Sequence, residues 1–416
     1  MVALADLELP WLPVSDAAFA ADPWPHFAAA RAEHPWLARC AHGYLVHGHR
    51  QARELLRRDD DLVPAVADLA ATLGALDTGW GRFQRMHLQS RTGADHRRLR
   101  GIVAPFFSPA AARAQRGLMA RTMVRLLDQW APRGAFDFEE FVSWYPISVM
   151  SAILGAPLEA IPALRSSLEA LGLAFGMDPD FMPRVEEGYQ VLERHVRELW
   201  EDRCTQRGRD DDLLGHLVHA VAEGRLSERE AWDFLIFAYV GGYDTSKNAM
   251  TILMSLLLER PAMYARCAED LAYCGRVMEE GFRYFTTATI PRRVVRPLEY
   301  EGINFPEGAL LLFPVSVTGR DPAVCPRPDE FDPDRQLDPE AHHLAFGRGA
   351  HICLGQFIAR NQIEVGLYLI ARRLANPRRT GPSEWRPFMG VWGLRGLPIA
   401  FEDRGAPSGD QIPAVA

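Results

Sequence analysis

Apolar residues recur at three- and four-residue spacing over most of the chain, which predicts a mainly helical protein. Two such segments run from Ser108 to about Trp130 and from Phe181 to Cys204. A longer one starts at Ser227, where Ser227 and Glu230 form an S-x-x-E capping box. Its apolar pattern continues through Leu258 until Arg260-Pro261 ends it. A helix of about 30 residues spans on the order of 45 Å at ~1.5 Å per residue, enough to cross a whole domain. Strand patterns are fewer. Tyr44-Leu45-Val46-His47, bounded by Gly43 and Gly48, is one, and the stretch from Arg293 to Pro314 mixes β-branched residues with Gly/Pro turns. Asp321 to Pro339 is rich in Pro and Asp and reads as an ordered meander; residues from Asp403 onward read as a frayed tail. No internal repeat or Gly/Ser linker divides the chain. The pattern therefore predicts a single domain over 1–416, with its core at about 11–402 and a flexible tail at 403–416.

Composition narrows the class. With 416 residues, 48% hydrophobic and 24% charged, the chain is an ordinary globular protein with a large core. Its net charge of −8 disfavours a role in coating nucleic acid. Cys40, Cys204, Cys267, Cys274, Cys325 and Cys353 are scattered without a C-x-x-C pair, which suits reduced thiols in a cytoplasm. The opening MVALADLELPWLPVSD has no basic flank followed by an apolar run, so no signal peptide is expected. No stretch approaches ~18 uninterrupted apolar residues, so no membrane anchor is expected either.

The candidate chemistry centres on Phe346-Gly-Arg-Gly-Ala-His-Ile-Cys-Leu-Gly355. Cys353 sits at the start of a helical pattern, where free N–H groups and the helix dipole favour a thiolate. The glycines let the backbone approach something flat and bulky. Phe346 offers an apolar wall, and His351 and Arg348 offer charges for acidic groups. A buried structural cysteine beside a glycine turn is the alternative.

The segment as a whole resembles the cysteine loop of the cytochrome P450 family, F-x-x-G-x-x-x-C-x-G, with Phe346, Gly349, Cys353 and Gly355 in the fixed places. By that resemblance Cys353 is the thiolate ligand of haem b (iron protoporphyrin IX), and Phe346, Gly349 and His351 border the cofactor. The implied fold is mainly α with a small β region, one triangular domain built on a long central helix.

Four further matches follow in order along the chain. Gly241-Gly-Tyr-Asp-Thr245 looks like the family's [A/G]-G-x-[D/E]-T motif, in which the acid and the alcohol, here Asp244 and Thr245, relay protons to oxygen. Two glycines inside a helix cost about 1 kcal/mol each. Either close helix packing or a local opening beside the cofactor would account for them. Glu280 and Arg283 resemble the E-x-x-R pair, with Arg335 as its third member; alone they would read as a surface ion pair. His96 and Arg100 share a helical face, with the spacing of the family's propionate clamp, although basic clusters are often merely solvated. Arg292 is similar to the arginine that binds a propionate at the first β region. The resemblance extends from Asp22-Pro-Trp-Pro25 to Arg395-Gly-Leu-Pro398. Tyr243, and Ser90-Arg91-Thr92 where an acidic residue is usual, depart from it.

The resemblance implies a monooxygenase that inserts one atom of O2 into a small apolar substrate by C–H hydroxylation or epoxidation. No G-x-G-x-x-G lies between a strand and a helix, so electrons are expected from a separate ferredoxin-type redox partner. Arg97, Arg98, Arg113, Arg348 and Arg360 are expected around the cysteine side, where they would attract an acidic [2Fe–2S] ferredoxin. Expected substrate contacts are Leu62 to Phe83, Leu171 to Met182, Phe237, Val240, Ala288-Thr289-Ile290 and Val391-Trp392. The protein is expected to be a monomer. A peroxide-driven or oxidative-coupling enzyme of the same fold, or a non-catalytic haem protein, remains an alternative.

Overall fold

The structure, a computed structural model, describes residues 2–205 and 212–405. Both arms of the expected capping box are present: Ser227 Oγ accepts the Glu230 N–H at 3.2 Å, and Glu230 Oε2 accepts the Ser227 N–H at 2.8 Å. From this start the Glu228–Leu258 helix runs 31 residues through the largest hydrophobic cluster. It packs most extensively on the Phe138–Ile153 helix and also touches Ile161–Gly172, Met182–Thr205, Leu271–Tyr284 and Gln356–Arg373. The periodicity predicts a mainly helical protein with one long helix; the ring of helices around that central helix is the arrangement the family resemblance implies.

The β part is small. Its largest sheet has five strands in the order Leu37–Cys40, Gly43–Val46, Leu310–Pro314, Thr289–Val294 and Leu62–Pro64. The Thr289–Val294 strand lies between Leu310–Pro314 and Leu62–Pro64, antiparallel to both. It begins four residues earlier than the sequence pattern, because pairing with two distant segments extends it through Pro291.

The Ser108–Trp130 segment is two helices, Pro109–Ala114 and Arg116–Trp130, broken at Gln115. Ser108 caps the first by accepting the Ala111 N–H, and the apolar spacing carries across the break because both pieces face the same core. The expected tail starts later than Asp403, which pairs with Leu374 in a strand and binds the Arg373 guanidinium at 2.5 Å. The rest of that tail, residues 406–416, lies outside the described residues. Among the described residues no helix is long and apolar enough to cross a membrane.

Candidate active site

Cys353 lies just before the Gln356–Arg373 helix, whose N-cap is Gly355. The Cys353 N–H donates to the Phe346 carbonyl at 2.8 Å and closes the loop. Its thiol is enclosed by protein yet keeps open surface, so it faces an interior space. Enclosure pushes the thiol pKa up; the Gly355 and Gln356 N–H groups and the cations Arg100 and Arg360 oppose that push and favour thiolate. Gly355 has open space where a Cβ would stand. Gly349 is glycine for another reason than approach to a cofactor. With φ at +76°, its added Cβ would lie 2.4 Å from the Leu56 carbonyl oxygen.

Beside this loop the fold assembles a cluster of bases from three segments. The His96 ring stacks on His351 at 4.0 Å, and Arg100 donates to the Ile352 carbonyl at 2.6 Å, which anchors the Gly93–Val103 helix to the cysteine loop. Arg292 approaches from its strand, close enough to lower the His351 pKa. Arg292 is only 3% exposed, and among the described residues its guanidinium hydrogen-bonds to the neighbouring Pro291 carbonyl. Burial lowers its pKa to about 10 despite help from Asp59, a carboxylate that the Ala350 N–H holds in place. His351 falls to about 3 through burial and the cations around it, so it is neutral here and does not offer the charge the sequence suggested. Two arginines and two histidines against one carboxylate make a buried site short of negative charge. An incoming dicarboxylate fits it.

The third part is an open stripe on the otherwise buried central helix. Phe237, Val240, Gly241 and Thr245 keep exposed surface, while 238–239, 243–244 and 246–254 are buried. These open positions share one helical face, so they border an internal space. The paired glycines divide the two explanations between them. A Cβ on Gly242 would press on Met150 at 2.8 Å, whereas one on Gly241 would meet nothing within 4 Å. Thr245 Oγ1 donates to the Gly241 carbonyl at 2.8 Å. Asp244 does not stand alone beside it. Its carboxylate meets Lys247 Nζ at 3.0 Å, and Lys247, fully buried, also meets Glu169 at 2.6 Å and Glu139 at 3.4 Å. Arg386 binds Glu139 at 2.6 Å and faces Asp244 at 3.9 Å, and Tyr243, the departure from the motif, donates to Glu169 at 2.5 Å. Sequence reasoning missed this network. Its one signal is that Lys247 is the only cation in the central helix between Arg229 and Arg260, and a lysine there needs carboxylates.

Comparison with known proteins decides the family. The family model described as Cytochrome P450 matches residues 181–375. Luteothin monooxygenase of Streptomyces thioluteus is 32% identical over 95% of this chain and 96% of its own length. The chain belongs to the cytochrome P450 family. Cytochrome P450 monooxygenase PikC of Streptomyces venezuelae is 30% identical over 94% of each chain. The crystal structure of CalO2 shares the fold, with a TM-score of 0.85, 23% identity, and coverage of 95% of this chain and 100% of that one. As a cytochrome P450, the protein is an oxidoreductase: it binds haem and inserts one atom of O2 into a small-molecule substrate.

In this cytochrome P450 the Glu280–Arg283 pair is buried, not superficial. Arg283 binds both oxygens of Glu280 at 2.8 and 2.7 Å and donates to the carbonyls of Gly319, Pro328 and Glu330. Arg335 reaches the same carboxylate at 3.5 Å. The expected basic patch is only partly free. Arg98 is tied to Asp95 and Glu230, and Arg360 to Glu279. Arg97 and Arg113 are exposed, and Arg348 stands near Arg53 and Arg57, which the sequence did not single out. Trp392 is not a substrate contact: it is 1% exposed, stacks on Phe285 at 4.2 Å and donates to the Ala20 carbonyl.

Proposed function

We propose that Cys353 is the thiolate ligand of the haem, with the two propionates received by Arg292, Arg100, His96 and His351. The observation that carries this reading is Arg292, buried with no ion pair among the described residues, in a cluster of bases beside the cysteine loop where only Asp59 offers a nearby negative charge. Haem, when bound, supplies the oxygen activation, and a thiolate ligand favours O–O cleavage. The chain supplies orientation, exclusion of water and protons. Phe346 and Gly349 would shape the loop that receives the cofactor, and Gly241 leaves open space on the central helix. Thr245 and Asp244 hold and pass protons on that side: the Thr245 hydroxyl borders the open space, and Lys247 and Arg386 keep cations against the Asp244 carboxylate.

The substrate is an apolar small molecule of terpenoid, aromatic or steroid size, because Phe237, Val240, Ala288 and Ile290 present the partly open surfaces. Electrons come from a separate acidic ferredoxin-type protein, which Arg348 and Arg57 would attract, while the neighbouring Arg53 is paired with Glu340. We read the chain as one domain acting as a monomer; its strand pairing and core packing run from the Val2–Ala3 strand to Asp403, wider than the expected 11–402. The six free cysteines suit a cytoplasmic setting.

Replacing Thr245 with Ala tests the proton role. Haem and substrate binding should persist, while product formed per reduced cofactor consumed falls about tenfold and peroxide rises to match. That is below the ~10²–10⁴ of a fully positioned proton donor, since water can substitute. Measuring peroxide and product together checks it. Unchanged coupling would assign proton delivery to another group.

A further inference from the structure

Arg360 lies two helical turns beyond Cys353, on the helix whose first N–H groups face the thiol. Its guanidinium sits over the Phe346 ring, 4.3 Å from the centroid, and the Phe346 carbonyl holds the Cys353 N–H. The Phe346 ring and the shared helix therefore place the Arg360 charge on the cysteine side of the site. That charge is opposed locally. Arg360 Nε donates to Glu279 Oε1 at 2.6 Å, and Glu279 Oε2 also accepts from His343 Nε2 at 2.9 Å. Burial acts to raise the Glu279 carboxyl, but His343 and Arg360 outweigh it and hold it at about 2. His343 is itself pushed down by burial, so it positions Glu279 as a neutral N–H donor and adds no charge. Glu279 thus turns toward the cysteine helix, while the adjacent Glu280 serves Arg283.

We propose that Arg360 and Glu279 form an opposed charge pair that sets the reduction potential of the haem through Cys353, with His343 fixing the acid in place. The inference rests on Cys353 being the ligand. Adding an electron to the haem is favoured by a nearby positive charge and disfavoured by a negative one. Arg360 therefore raises the potential and Glu279 holds it down. Both line an open cleft of about 520 Å³, so water screens them and the effect is moderate. Arg360 and Glu279 are positioning residues that act through the sulfur.

The test is a dye-mediated spectroelectrochemical titration of the haem-loaded full chain without substrate. Glu279→Gln should raise the midpoint potential and Arg360→Gln should lower it. Each change should be about tenfold in the reduction equilibrium, about 59 mV for a one-electron couple. Arg360→Lys and the double variant Glu279→Gln/Arg360→Gln should both stay close to the unmodified protein. A merely structural role would move both single variants in the same direction; that result, or potentials unchanged in both, overturns the proposal. Where a single variant fails to load haem, a double-variant potential displaced by a full tenfold also overturns it. The reduced carbon-monoxide spectrum of each sample separates the two readings. Without the thiolate band in the unmodified protein the ligand assignment fails; with that band and unmoved potentials only the charge pair fails.

Discussion

Arg283→Lys should lower the unfolding free energy by about 3–5 kcal/mol and sharply cut the yield of haem-loaded protein. Arg283 is 1% exposed and directs its N–H groups at both Glu280 oxygens and at the backbone carbonyls of Gly319, Pro328 and Glu330. A lysine keeps the charge but brings its donors from a single point, so several of those acceptors lose their partners. Glu280→Gln should cost a similar amount, because it leaves the Arg283 and Arg335 cations without their shared carboxylate and weakens the acceptor for the Asp332 N–H. The ratio of haem to protein absorbance, with denaturant midpoints, measures both effects. Turnover per bound haem should change little. Normal haem loading and normal midpoints in both variants would mean that this pair does not hold the cysteine side together.

Lys247→Met should destabilise the fold by about 3 kcal/mol at neutral pH, the low end for a broken buried pair. The loss is at the low end because Arg386 still faces the same acids and Glu169 is partly open to water, where screening weakens the pair. The effect should depend on pH. Burial acts to raise the Glu169 carboxyl, but Lys247 outweighs it, so the pKa falls from 4.5 to about 2. A carboxyl depressed by folding contributes stability that is present above its unfolded pKa and lost as pH falls through the folded one. The gap between the unmodified protein and Lys247→Met should therefore be widest above pH 4.5 and narrow towards pH 2. Denaturant titrations across that range check it. A gap below about 1 kcal/mol, or one that does not narrow on acidification, would show that Lys247 does not depend on its acids.

Much of this was legible in the order of residues because the information is local. The capping box at Ser227, the stop before Pro261 and the cysteine loop from Phe346 to Gly355 each occupy a few consecutive positions. His96, Arg100 and Arg292 were found because their spacing matched a family pattern. Their convergence on His351 needed the fold, since a helix, a strand and a loop bring them together.

The rest depended on long-range pairing. Asp244 and Lys247 are three residues apart, and in sequence they look like a surface pair. Only Glu139, Glu169 and Arg386, drawn from three other segments, make them a buried network. The break at Gln115 is hidden because both short helices bury the same face. Trp392 had the composition of a pocket residue, but its indole N–H is spent on the Ala20 carbonyl and its ring on the aromatic core. The early start of the Thr289 strand likewise comes from partners at Leu62–Pro64 and Leu310–Pro314 that no local pattern announces.

We propose that Cys353, and no other cysteine, ligates the haem. Cys40, Cys267, Cys274 and Cys325 are buried elsewhere in the fold, and Cys204 is on the far end of the Met182–Thr205 helix. The direct measurement is the carbon-monoxide difference spectrum of the reduced protein, recorded side by side for the unmodified chain and Cys353→Ala. The band of thiolate-ligated haem should appear in the first and be completely lost in the second. The same band in Cys353→Ala, or its absence from the unmodified haem-loaded chain, would contradict it.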